Sequence, residues 1–172
     1  MNTNTRIEDF RPLKAAGTVL GIGMGGFVDG IVFHQILQIH NMLSARLPPN
    51  TLVNAEINMV WDGLFHAFTW LMTAFGIAML WHAGQKSSVP WSTKTLIGSL
   101  IQGWGYFNLV EGVIDHHILN IHHVVERLGV SVFDWLFLAS GVLFILIGHF
   151  VVKAAQSDGQ SSHPSPSAAG RT

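Results

Sequence analysis

Four histidines and two carboxylates fall within the 13 residues from Glu111 to His123, EGVIDHHILNIHH, whose other members are mostly aliphatic. An earlier stretch from Asp29 to Asn41, DGIVFHQILQIHN, aligns with it without a gap at an offset of 82 residues. Gly30, His34, Ile36, Leu37, Ile39 and His40 recur as Gly112, His116, Ile118, Leu119, Ile121 and His122. Asp29 corresponds to Glu111, and upstream Gly21 and Gly23 correspond to Gly103 and Gly105. This is an internal repeat, and it keeps carboxylate and imidazole together with the apolar filler. Neutral imidazole is a good ligand for transition metals, and a carboxylate beside it either ligates or fixes the ring. Both groups can also carry protons.

The chemistry depends on the solvent around these groups. The chain has 172 residues, of which 49% are hydrophobic and 11% charged, and its mean hydropathy is positive. That composition points to a membrane protein. A formal net charge of −1 gives no footprint for nucleic acid. The absence of cysteine excludes disulfides, thiolate zinc sites, cysteine-ligated iron–sulfur clusters and a cysteine nucleophile. Any metal must be held by His, Asp, Glu, Met or backbone oxygen.

The elements that must position the site follow from hydropathy and punctuation. A polar arm covers residues 1–12, and a transmembrane domain covers 13–153, with spans at about 13–43, 57–82, 91–125 and 131–152. The turns are marked by Pro48-Pro49-Asn50, by the Gly, Ser, Lys and Pro of 83–90, and by Glu126 to Gly129. Residues 154–172, rich in Ser, Pro, Gly and Ala, are expected to be disordered. No signal peptide is expected, since the first span is too long and carries Asp29. Asp62, Leu64, Phe65 and Ala67 in the second span correspond to Asp134, Leu136, Phe137 and Ala139 in the fourth. The expected fold is therefore an all-α polytopic membrane protein, a four-helix bundle of four transmembrane helices arranged as two tandem parallel-repeat hairpins. Arg6, Arg11, Lys14, Lys86, Lys94 and Lys153 outnumber Arg46 and Arg127 on the opposite side, so both termini are expected in the cytoplasm. The histidine-rich ends of spans 1 and 3 then lie toward the outer face.

Helical spacing limits which groups can meet. In a regular helix Asp29 and His40 share a face but stand roughly 16 Å apart along the axis, so one ion would not bind both. Glu111 and His122 are related in the same way. Depth counted across the spans puts His34, His66, His116 and Asp115 at one level and Asp62, His40, His122, His123 and Asp134 at a second, nearer the surface. Asp29 and Glu111 lie deepest, open to roles as ligands, proton relay or interhelical hydrogen-bond partners. Asp134 also reads as a helix-start charge, and His82 and His149 as lone histidines bonded to a neighbouring backbone or hydroxyl group. The halves differ: Phe33, Gln35 and Asn41 match Asp115, His117 and His123, while His66 matches Leu138. One composite site follows, with His34, His66 and His116 joined by Asp62 or Asp115, and with His40 and His122 at its entrance or on a second ion.

The function expected from these residues is binding of a transition metal near the outer face, copper or iron favoured and zinc a further candidate, in a protein open to a role as a membrane oxidoreductase. A membrane electron carrier with haem b, its axial histidines supplied by spans 1 and 3, is the alternative. A proton or metal-ion transporter, with Asp29 and Glu111 as mid-membrane relay, is a third reading. The lipid bilayer, a second copy of the chain or a redox partner are the expected partners, and nucleic acid is not.

The motifs GIGMGGFVDGIVFHQILQIHNML and GWGYFNLVEGVIDHHILNIHHVVE resemble a bacterial family of small predicted membrane proteins of unknown function. The resemblance covers roughly residues 12–153. It implies a protein of the bacterial inner (cytoplasmic) membrane with four spans, and supplies no activity. Asp62-x-x-x-His66 is also similar, over those two residues, to the carboxylate–histidine copper sites of particulate methane monooxygenase-type subunits.

Overall fold

The computed structural model describes residues 9–161, and no strand occurs among them. Helix α1 spans Arg11–Val28, α2 Leu52–Gly84, α3 Thr93–Glu111 and α4 Val132–Ser161. Helices α1 and α3 each continue into a π-helical segment, Asp29–Ile36 and Gly112–Ile118, and a short 3₁₀ turn, Glu126–Leu128, precedes α4. Most of the expected arm, and the part of the tail beyond residue 161, lie outside the described residues. Residues 154–161, expected as disordered tail, continue α4 as helix.

Helix starts follow from side-chain caps, which satisfy amide donors that have no partner within the helix. Thr51 Oγ1 accepts from Asn54 N, and Ser92 Oγ accepts from Thr95 N. Ser131 begins α4: its own amide donates to Asp134 Oδ2, a reciprocal arrangement of the capping-box kind. At α1 the acceptor is Asp9, which takes both the Arg11 amide and the Arg11 guanidinium; that guanidinium holds the Asp9 carboxyl below its usual range.

Among the described residues three helices are long and apolar enough to cross a membrane: Arg11–Ile36, Leu52–Gly84 and Val132–Ser157. The α3 region, expected as a span, does not reach that mark, because Thr95, Ser99, Gln102, Asn108 and Glu111 interrupt its apolar run. The same helix is well buried, with Thr95, Ser99, Asn108 and Glu111 inside the protein. Helix α1 packs closely on both α2 and α3, and α3 on α4, whereas the α2 and α3 backbones do not come together and meet only through side chains such as Phe65 and Phe107, and α4 does not approach α1 or α2. The four helices therefore form a row, α2, α1, α3, α4, and not the closed four-helix bundle expected from the sequence.

Glycine explains the row. Gly21 and Gly103 face each other where α1 crosses α3; a Cβ on Gly21 would collide with the Leu100 carbonyl, and one on Gly103 with the Thr18 carbonyl. Small residues let two backbones approach closely in an apolar solvent, where packing rather than the hydrophobic effect holds helices together. The outer helices use only narrow stripes for contact. Helix α2 buries Asn58, Asp62, Thr69, Gly76 and Ala83, while Trp61, Trp70, Leu71 and Phe75 are exposed. Such exposed apolar area is what a lipid-facing surface presents.

Candidate metal centre

The two π-helical segments build the site. π-Helices are rare, and short ones occur often at functional sites. Their i→i+5 hydrogen bonds close at Leu37 N to Val32 O (2.8 Å) and Leu119 N to Ile114 O (2.7 Å). The chain then reverses. Gln38 and Asn120 both adopt φ of 49°, the left-handed conformation, which Asn tolerates better than most residues. Ile39 N returns to Phe33 O (3.1 Å) and Ile121 N to Asp115 O (2.9 Å).

This reversal overturns the axial argument that separated Asp29 from His40 and Glu111 from His122. That estimate assumed a straight α-helix, whereas the helices end at Ile36 and Ile118 and the following residues fold inward. The His34 and His40 ring centroids are 4.5 Å apart, and those of His116 and His122 are 4.9 Å apart. His40 and His122 stack on each other at 4.8 Å with 12° between their planes. In the π register, residues five apart stand one above the other: His34 Nε2 lies 3.2 Å from Asp29 Oδ2. His122 Nε2 lies 3.5 Å from Glu111 Oε1. The separate levels inferred from helical rise are thus a single cluster of His34, His40, His116, His122, Asp29 and Glu111.

Three of the four rings are hydrogen-bonded through Nδ1, and the fourth, His116, has its Nδ1 close to a carboxylate without a hydrogen bond. His34 Nδ1 donates to Asp62 Oδ1 at 2.9 Å, and His116 Nδ1 lies 3.2 Å from Asp134 Oδ1. His40 Nδ1 donates to the Val124 carbonyl at 3.0 Å, and His122 Nδ1 to the Met42 carbonyl at 3.1 Å. The Asp62 carboxylate is itself fixed by Met42 N (2.8 Å) and Asn41 Nδ2 (2.9 Å), and that of Asp134 by Val124 N (3.0 Å) and Ser131 N (2.8 Å). The loops that carry these groups are tied together by Ala45 N to Ile121 O, Glu126 N to Ile39 O and Ser44 Oγ to Glu126 Oε2.

The other ring nitrogens face one another. Three overlapping triads have ligand atoms within 4.8 Å of one another: His34, His40 and His122; Glu111, His116 and His122; and Asp29, His34 and Glu111. All six residues are buried, none more than 5% exposed. Nε2 of the four histidines, Asp29 Oδ2 and Glu111 Oε2 have no hydrogen-bond partner. A buried polar atom left without a partner costs about 1–3 kcal/mol. His34 Nε2 and Asp29 Oδ2 face each other and can share a proton, but the remaining atoms would still cost several kcal/mol together if nothing met them. Two buried carboxylates in one place also need a cation or a shared proton between them. The donor set therefore fits a bound cation: imidazole nitrogens with their far nitrogens tied to carboxylate or carbonyl, as in metal-ligating histidines generally.

Other residues singled out in the sequence stand elsewhere. Among the described residues His66 and Asp115 join none of the triads. His66 Nδ1 donates to its own helix at the Asp62 carbonyl (2.7 Å), and its ring lies over Gly30. The Asp62 carboxylate serves His34, so Asp62 and His66 do not form the carboxylate–histidine pair that their spacing resembled. His117 donates to the Gly112 carbonyl and packs on Trp135, and His123 Nδ1 lies 3.6 Å from Asp134 Oδ1. Asp134 caps α4 and also stands against His116, so its two readings are both realised. The 72-residue offset from Asp62 to Asp134 was the signal for that pairing. Nothing in the sequence marked the Met42 and Val124 carbonyls.

The fold and the cluster together define an all-α membrane protein in which buried histidine and carboxylate groups could hold a metal ion. A family described as "Predicted membrane protein (DUF2243)" matches residues 16–155, and the chain belongs to that family. No curated protein and no solved structure matches it.

Proposed function

We propose that this protein holds one or more transition-metal ions in its membrane domain, through Nε2 of His34, His40, His116 and His122 and the carboxylates of Asp29 and Glu111. Asp62 and the Met42 and Val124 carbonyls orient the rings, and Asp134 backs His116. The observation that carries this reading is the division of labour on the imidazoles: Nδ1 of His34, His40 and His122 bonds a carboxylate or carbonyl, while the Nε2 atoms have no partner and the four rings fall in overlapping triads with Asp29 and Glu111. A nitrogen–oxygen donor set without thiolate suits copper or iron in a redox role, with zinc as the non-redox alternative. Such an ion would supply Lewis acidity or electron transfer, and the protein would act as a membrane oxidoreductase. Haem b fits less well, because His40 and His122 stack directly on one another and leave no slot for a macrocycle between them.

The same proposal includes four crossings as two tandem hairpins, with both termini in the cytoplasm of a bacterial inner membrane. The reciprocal pairs support it. Gly21 meets Gly103, His34 stands against Asp62 as His116 does against Asp134, and His40 bonds Val124 as His122 bonds Met42. Each pair maps on the other by the offsets read in the sequence. The outer faces of α2 and α4 would be covered by lipid or by a second copy of the chain.

Elemental analysis of protein purified without chelator tests the reading. Stoichiometric copper, iron or zinc is expected, falling sharply in His34→Ala, His116→Ala and His122→Ala. Wild-type protein free of metal after purification and after reconstitution with copper, iron and zinc would refute it.

A further inference from the structure

Because α2 and α3 both pack on α1 while their own backbones stay apart, bridged only by side chains such as Phe65 and Phe107, a groove remains between them. It has a volume of about 690 Å³, within the range of roughly 300–1,000 Å³ usual for small-molecule sites. Its walls are aromatic, with Trp61 and Phe68 on α2 facing Tyr106 and Phe107 on α3. All the side chains that line it are apolar or aromatic except Tyr106, Glu111 and Asp115. Glu111 is 5% exposed, and its Oε2 has no hydrogen-bond partner. Glu111 also stands 3.5 Å from His122, so the groove ends on a member of the metal cluster.

We infer that this groove binds a lipophilic hydroquinone or phenol that enters sideways from the bilayer, its ring between the aromatic walls and its hydroxyl donating to Glu111 or Asp115. The inference rests on the metal reading in one respect only, that the bound hydroxyl would then lie next to the ion. The chemistry of the groove selects the class. The Tyr106 hydroxyl lines the groove, and the Glu111 and Asp115 carboxylates at one end of it offer acceptors to a guest that brings a hydroxyl donor. A lipid acyl chain brings none and would leave Glu111 Oε2 unpartnered. An ammonium head would have to cross hydrocarbon as an ion, at a cost of several kcal/mol. A neutral hydroxyl on a flat ring meets both conditions, and aromatic walls favour flat rings by stacking and edge contacts. The first half of the repeat lacks the feature: Phe33, in the π-helical segment after α1, stands where the segment after α3 has Asp115.

Decylhydroquinone and its dimethyl ether are the probes, titrated into the full chain in detergent and followed by tryptophan fluorescence, with metal content measured on the same sample. Saturable binding of the hydroquinone and much weaker binding of the ether are expected. Asp115→Asn should raise the Kd about tenfold, the loss of one charge-assisted hydrogen bond, and leave metal content unchanged. Phe68→Trp, which fills the groove without touching a carboxylate, should weaken binding as well. Equal binding of the two probes would overturn the inference and make the groove a lipid slot. Metal-loaded protein without saturable hydroquinone binding would overturn it too. Hydroquinone binding with the expected variant pattern, on protein that carries no metal even after reconstitution with copper, iron and zinc, would support the groove while refuting the metal centre.

Discussion

Asp62→Asn is the substitution that best separates a metal-orienting role from a structural one. Asp62 accepts from three donors, His34 Nδ1 and Met42 N on Oδ1 and Asn41 Nδ2 on Oδ2. An asparagine of the same shape keeps one acceptor oxygen for His34 and Met42, but its NH₂ group would face the Asn41 NH₂ group, donor against donor. The negative charge behind His34 is lost as well. The fold should lose one hydrogen bond to a charged group, about 1.5–3 kcal/mol. Loss of such an outer partner of a metal-ligating histidine weakens metal binding by about 10–100-fold. The assay titrates purified protein with Cu²⁺ against a competing chelator, and compares melting of the chelated forms. Asp62→Asn should lose affinity by one to two decades relative to wild type. Glu56→Gln, an exposed carboxylate on the same helix, should match wild type in both measurements. A lowered melting temperature with unchanged affinity would refute the reasoning, because Asp62 would then serve the loop alone.

His40→Ala should lower bound metal, whereas His66→Ala and His149→Ala should leave it unchanged by elemental analysis; loss in His66→Ala would show that the cluster has been drawn too narrowly. Metal at about 100 times its Kd should stabilise the fold by about 2.7 kcal/mol, seen as a rise in melting temperature that EDTA reverses. Gly103→Val should destabilise by about 1–3 kcal/mol or more, because its side chain would meet the Thr18 carbonyl at the α1–α3 crossing; wild-type melting in that variant would argue against so close an approach. A reporter fused after Lys153 should be active only as a cytoplasmic fusion, and activity outside would reverse the topology.

Hydropathy made the helices legible, and the charge-poor runs of α1, α2 and α4 are those long and apolar enough to span. The third span was read in the same way, but α3 is too polar to reach the apolar mark that the other three meet. The candidate ligands were legible from the repeat, but their grouping was not. Reading Asp29 to His40 as a uniform helix placed His40 far above Asp29. No residue type announces a π-helix, and Gln38 is not a residue that marks a left-handed turn. Asn120, at the equivalent place, is the one conformational hint. His66 entered the expected site because depth along a helix was counted while rotation about it was not. Its Nδ1 is taken by the carbonyl four residues back on its own helix.

The tethers on His40 and His122 run between the halves of the chain, and this sets an order of events during biosynthesis. His40 is oriented by the carbonyl of Val124, which leaves the ribosome after 84 more residues. His122 is oriented by Met42, made long before it. A nascent chain holding only α1 and α2 therefore has its first imidazoles in the membrane but no partner to aim His40. Cargo captured at that stage would meet a loose, incomplete set of donors. If the cluster holds a metal as proposed, loading would follow the packing of α3 on α1, and a truncated product ending before Val124 should be a poor metal sink even though most of its histidines are already made.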